Sequence, residues 1–219
     1  MVFLNILAIF IFIITLIFVY LIGYDNYSAF DDYGLVMLAF LILWMILHEI
    51  LHGIGFMIFR EVKLKNITYG IALEKGVFYC MCKQKISKKV ILTSLLFPLT
   101  IIGIITLFIG IKMDNSLLVL LSIYNIMGAS GDIIMTCFFL FCPNDIIYLD
   151  LDDCTSFTVL SKSDITSIKV PGIKLVDSGI YDNKMTSKDK RHIVISKTSF
   201  IILLVIFIII LINFIGGVL

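Results

Sequence analysis

The chain has 219 residues, 60% of them hydrophobic and 15% charged, with a net charge of +1 and a mean hydropathy of +1.10. That balance excludes an ordinary soluble domain, which needs more polar surface, and a charge so near neutral offers no global basic field for nucleic acid. A mainly α, polytopic membrane protein is the expectation, with the lipid bilayer as its solvent.

Five apolar runs are long enough to cross about 30 Å of hydrocarbon as helices. They cover approximately 3–23, 35–59, 90–111, 116–142 and 199–219. The first has no basic leading segment and no small-residue cleavage site, so it reads as a retained anchor and not as a signal peptide. Pro98 in the third predicts a kink. Between the first two runs, residues 24–34 hold Asp25, Asp31 and Asp32 and no Lys or Arg. Residues 60–89 hold eight basic residues and residues 143–198 another eight, which leaves only Lys112 of the 17 elsewhere. An alternating five-span arrangement puts both basic loops on one side, and the positive-inside rule makes that side cytoplasmic. The N-terminus is then inside and the C-terminus outside. A composition rich in Ile, Lys and Asn suits an AT-rich bacterial genome and hence a bacterial cytoplasmic membrane.

Two stretches are not helical in pattern. Residues 62–88 alternate apolar and polar side chains around Gly70 and Glu74-Lys75-Gly76, which predicts a β-hairpin or a three-strand ribbon. Residues 143–198 carry strand-like runs at Ile146–Leu151, Phe157–Leu160 and Ile165–Val170 and predict a small cytoplasmic β-rich segment packed on the membrane domain. The expected organisation is an anchor helix with an outer loop (1–34), a membrane core (35–142) with a β-ribbon insert (60–89), the cytoplasmic segment (143–198) and a C-terminal transmembrane helix (199–219). The five cysteines, Cys80, Cys82, Cys137, Cys142 and Cys154, are odd in number and lack disulfide-framework spacing. Cys80 and Cys82 read as thiols of a reducing compartment.

Cys and Tyr aside, only four ionisable residues fall inside the five runs: His48, Glu49 and His52 in the second, and Asp132 in the fourth. Each is expensive in hydrocarbon and so is a functional candidate. His48-Glu49-Ile50-Leu51-His52 is HExxH. On a helix, the i and i+4 imidazoles stand one turn apart on one face, where a single Zn²⁺ takes both. Glu49 then lies beside the metal as general base. A catalytic zinc needs a third protein ligand, and Asp132 sits at a matching depth. With three His and three Glu in the chain, HExxH arises by chance on the order of once in two thousand such sequences, which weighs against coincidence.

Asn125 lies seven residues before Asp132 on nearly the same face. It suits either a hydrogen bond to a substrate carbonyl or oxyanion or a helix–helix hydrogen bond. Gly53, Gly55, Gly128, Ser130 and Gly131 allow close packing beside the site. His192, in a Lys-rich stretch, reads as a surface residue.

The order of HExxH helix, hairpin-like insert, apolar helix and a helix with Asn and a late Asp resembles the site-2 protease class of intramembrane zinc metalloproteases. In particular it is similar to the small bacterial zincin peptidase family, over about residues 35–145. The resemblance implies His48 and His52 as zinc ligands, Glu49 as catalytic base, and Asp132 and Asn125 as counterparts of the Asp and Asn of the class's Asn…Asp-Gly helix. It also implies that the ribbon at 62–88 presents an unwound substrate. Asp132 departs from the pattern in being followed by Ile133 and not Gly, and Gly128 stands near the usual proline.

The expected function is a zinc-dependent endopeptidase acting on membrane-embedded protein substrates. The rival readings are a non-catalytic membrane metal-binding protein, or a pseudoprotease with a partner-binding role. Metal transport is disfavoured because the intramembrane ionisable residues lie in one layer and not along a path.

Overall fold

A computed structural model describes residues 2–28, 36–72, 77–151, 157–173 and 192–194. The elements in chain order are α1 (Val2–Leu21), α2 (Val36–Met57), β1 (Ile67–Ala72), β2 (Val77–Cys82), β3 (Ile86–Ser87), α3 (Lys88–Pro98), a π-helical segment (Leu99–Ile105), α4 (Thr106–Lys112), α5 (Ser116–Gly128), α6 (Ser130–Phe141), β4 (Ile147–Asp150), β5 (Phe157–Leu160) and β6 (His192–Val194).

Among the described residues, three helices are long and apolar enough to cross a membrane: Phe3–Leu21, Met37–Met57 and the continuous Lys88–Lys112. A fourth span forms if Ser116–Gly128 and Ser130–Phe141, bent by 48° at their junction, are taken together. The expected fifth span, 199–219, lies outside the described residues, as do Cys154 and the Glu74-Lys75-Gly76 tip of the hairpin. Pro98 ends one α-helical stretch where the π-helical one begins, so the third span changes its hydrogen-bond register there instead of breaking.

Apolar spans hold together through packing and through internally satisfied polar groups. Thr15 donates to the Ile11 carbonyl at 2.8 Å. The hydroxyls of Thr106 and Ser122 meet at 2.7 Å and tie α4 to α5. Asn115 caps α5 by accepting from the Leu118 N–H at 3.0 Å. At the far end of α6, Lys88 Nζ donates to the Cys142 carbonyl at 2.6 Å, a cation at a helix C-terminus.

Contacts at the two ends of α1 sort the loops. A Cβ on Gly172 would stand 3.3 Å from Phe3, near the start of α1. Beyond its end, Asn26 Nδ2 donates to the Asp114 carbonyl at 3.1 Å. The 157–173 segment and the 112–115 turn therefore lie at opposite ends of the bundle.

The strands form two small antiparallel sheets, ordered β2-β1-β6 and β3-β4-β5. The first contains the expected hairpin, with Ile67 opposite Cys82 and Ala72 opposite Val77. Its third strand comes from the 143–198 segment, pairing His192 with Ala72. Among the described residues, the outer edge of β2 pairs with no strand. The expected strand at Ile165–Val170 is not formed. Ile168 N–H closes a turn on the Ile165 carbonyl, and Pro171, which has no N–H, is followed by Gly172 at φ +90°. The side chains of Ile168, Val170 and Ile173 instead pack on a core built around Phe139, Ile67, Cys82 and Tyr148. A second core joins Met37, Phe40 and Trp44 of α2 to Leu117, Leu120 and Leu121 of α5.

Candidate metal centre

Helix α2 contributes Trp44 to one core and Phe56 to the other. His48 and His52 fall between them, so the HExxH turns sit where the helix passes from one cluster to the next. Two glycines bring the neighbouring elements in. A Cβ on Gly55 would stand 2.6 Å from Ser94 Cα in α3, and one on Gly53 would run into the ring and hydroxyl of Tyr69 on β1. The Gly55 approach is to backbone, so glycine there is what lets α3 close on α2, whereas at Gly53 it is the tip of the Tyr69 side chain that would have to shift. The other expected packing residues behave differently. Among the described residues, nothing lies within 4 Å of a Cβ built on Gly128 or Gly131, and Gly128 borders open space at the α5–α6 bend.

The approach of α3 has a chemical consequence. His52 Nδ1 lies 2.8 Å from the Ser94 carbonyl, and Ser94 Oγ donates to the His52 carbonyl at 2.9 Å. A carbonyl only accepts, so Nδ1 carries the proton and the neutral ring keeps a bare lone pair on Nε2. The same logic fixes His48. Asn125 Nδ2 donates to the Pro98 carbonyl at 3.3 Å, which turns Asn125 Oδ1 toward His48 Nδ1 at 2.8 Å. His48 Nδ1 is therefore the donor, and its Nε2 is the second bare lone pair. Both ends of the Asn125 amide are engaged, its side chain is buried, and it does not line the cavity. Of the two uses open to Asn125 in the sequence, its contacts are those of a helix–helix hydrogen bond.

The two Nε2 atoms face each other at 3.0 Å. Asp132 Oδ2, in the first turn of α6, lies 3.1 Å from His48 Nε2 and 3.5 Å from His52 Nε2. With both rings neutral, three acceptors converge with no donor among them, which is repulsive unless a cation, a proton or a metal ion, stands in their midst. Tetrahedral zinc with Zn–N and Zn–O bonds of about 2.0–2.1 Å holds its ligands roughly 3.3 Å apart, the spacing seen here. His48, Glu49 and His52 also offer ligand atoms that all lie within 4.8 Å of one another. The donor set fits a zinc ion.

These groups line a cavity of about 240 Å³. Its other wall comes from the sheets: Phe78, Tyr79, Cys80 and Met81 of β2, and Tyr148 and Asp150 of β4. His48 and Asp132 are 13% and 18% exposed, enough for water to reach them. Asp150 is a site residue that sequence reasoning missed. Burial pushes its carboxyl up to about 6, although hydrogen bonds from the Tyr148 hydroxyl and the Cys82 N–H pull the other way. Ser94 was missed as well, because a backbone carbonyl leaves no mark in a sequence. Cys80 and Cys82 are free thiols. His192 is in β6, opposite Ala72.

Comparison with known proteins points the same way. The profile of the family described as "Putative zincin peptidase" matches residues 41–147, close to the 35–145 over which the resemblance was read. No match was found among curated proteins or solved structures. The family match and the His-Glu-His group together support a zinc peptidase.

Proposed function

We propose that the chain is a zinc-dependent intramembrane endopeptidase of the site-2 protease type, which hydrolyses peptide bonds of membrane-embedded protein substrates. The observation that carries this reading is the triangle of His48 Nε2, His52 Nε2 and Asp132 Oδ2, 3.0–3.5 Å on a side, set among apolar spans. In this reading His48, His52 and Asp132 hold the metal. Zinc so held supplies Lewis acidity, polarising the scissile carbonyl and making water easier to deprotonate near neutral pH.

The chain's own groups do the rest. Glu49 takes the proton of the attacking water and returns it to the leaving amine. Asn125 and the Ser94 carbonyl hold the two imidazoles in the tautomer that presents Nε2, so Asn125 is a positioning residue. A transmembrane helix hides its carbonyls in its own hydrogen bonds and must unwind to be cut. The outer edge of β2, along the cavity wall, offers the unwound stretch a strand to pair with. The basic loops at the β-rich end favour that end as cytoplasmic, with the N-terminus inside.

The test is metal content of detergent-purified protein, wild type beside Asp132→Ala and His52→Ala. About one zinc per chain, lost in both variants, is expected from a three-ligand centre. A wild type that takes up no zinc when metal is supplied returns the four residues to a helix-packing role.

A further inference from the structure

Asp150 ends β4, in a different sheet from the hairpin, yet its carboxylate closes the edge of β2. Oδ2 accepts the Cys82 N–H at 2.8 Å, and Oδ1 accepts the Tyr148 hydroxyl. Tyr148 is buried between Phe139 and Phe157, each 5.5 Å away ring to ring. The carboxylate is therefore held in place. Successive N–H groups of a strand point to alternate edges. The Lys83 N–H is directed back across the hairpin, to the Asn66 carbonyl at 2.8 Å, so the N–H groups of Phe78, Cys80 and Cys82 are directed to the outer edge. The Cys80 N–H donates to the Glu49 carboxylate on that edge. The last of the three outward N–H groups is the one Asp150 occupies.

Resting on the peptidase reading above, we propose that Asp150 sets the register of the substrate on β2. A substrate strand pairs along the edge up to Cys80, exchanging the Cys80 N–H bond to Glu49 for one of its own, and stops there. The Cys82 N–H is already spent, and a substrate carbonyl placed beside the Asp150 carboxylate meets like charge. A two-residue slip along β2 moves the chain by about 6.7 Å, more than a reacting group tolerates. A one-residue slip turns every side chain to the opposite face. Fixing where the strand ends thus fixes which bond lies against Glu49 and the ligand triangle.

The experiment digests a defined library of synthetic peptides in detergent and reads the cleaved bond by mass spectrometry. It compares wild type, Asp150→Ala and Asp150→Asn, all checked for bound zinc. Wild type is expected to cut each susceptible peptide at one bond. Asp150→Ala is expected to add products displaced by two residues. Asp150→Asn keeps an oxygen for the Cys82 N–H and keeps the wild-type bond. Should Asp150→Ala not fold, Tyr148→Phe, which loosens the carboxylate without removing it, is expected to give the displaced products as a minor fraction. A variant that folds, lacks the carboxylate and still cuts only the wild-type bond overturns the register role and leaves the peptidase reading standing. A zinc-loaded wild type that cuts no peptide overturns both.

Discussion

The helical wall of the cavity and its strand wall carry similar chemical groups but are encoded differently. His48, Glu49 and His52 fall within five residues of one helix, where a period of 3.6 alone puts the two imidazoles on one face. Asp150, Tyr148 and the Cys82 N–H meet only because two sheets from distant parts of the chain lie side by side. A local period is readable before the fold is known, whereas a meeting of strand edges is not. Asp132 falls between the two cases. Its type and depth stand out in an apolar run, but its 3.1 Å approach to His48 is a tertiary fact.

If the helical wall carries the chemistry, Glu49→Gln should retain zinc and lose activity by roughly 10²–10⁴-fold, the usual worth of a general base; retained proteolysis at full zinc content would sink the mechanism. Asn125→Ala should weaken zinc binding by roughly 10–100-fold, as loss of an outer partner of a metal-bound histidine does. Asn125→Asp, which keeps an acceptor for His48 Nδ1, should recover most of it. Competition with a chelator measures both, and unchanged affinity in Asn125→Ala would deny that residue its positioning role.

The glycines sharpen the contrast between packed and open positions. Gly55→Ala forces α3 away from α2 and should cost about 1–3 kcal/mol by overpacking, seen as a lower thermal midpoint in detergent. Gly128→Ala meets nothing within 4 Å among the described residues and should leave the midpoint unchanged. Equal effects would mean that the close approach at Ser94 does not matter.

The smallest effect is one of pH. The Asp150 carboxyl titrates at about 6 in the fold, against an ordinary 3.8. Between those values the folded chain holds a proton that the unfolded chain has released, so stability of the metal-free protein falls as pH rises through that window. Asp150→Asn should flatten this dependence in thermal melts between about pH 4 and 6. A slope identical to wild type would place the titration on another group.

Much of the membrane architecture was legible in the sequence, because hydrocarbon demands long apolar helices and little else satisfies their backbones. The first two spans fall within two residues of the expected bounds. The hairpin was legible from its alternation. Where the reading fell short, long-range contacts decided. The run Ile165–Val170 has a strand's composition, yet packs as turns on the core around Phe139. The fourth run is apolar but for a few polar residues, yet bends by 48° just before Asp132. The glycines near that bend matched those of α2 in type, but of Gly53, Gly55, Gly128 and Gly131 only Gly55 has a backbone neighbour close enough to require glycine.

By itself, the sequence determined that the chain is a membrane protein with an HExxH helix in its second span. Hydropathy and helical period are properties of contiguous residues, so no fold is needed to read them. The fold alone fixed which nitrogen of each histidine is free, how closely Asp132 approaches them, and which carboxylate closes β2. Those answers depend on a carbonyl of Ser94, an amide of Asn125 and a backbone N–H of Cys82, and such groups acquire a role only when distant segments are brought within hydrogen-bond reach.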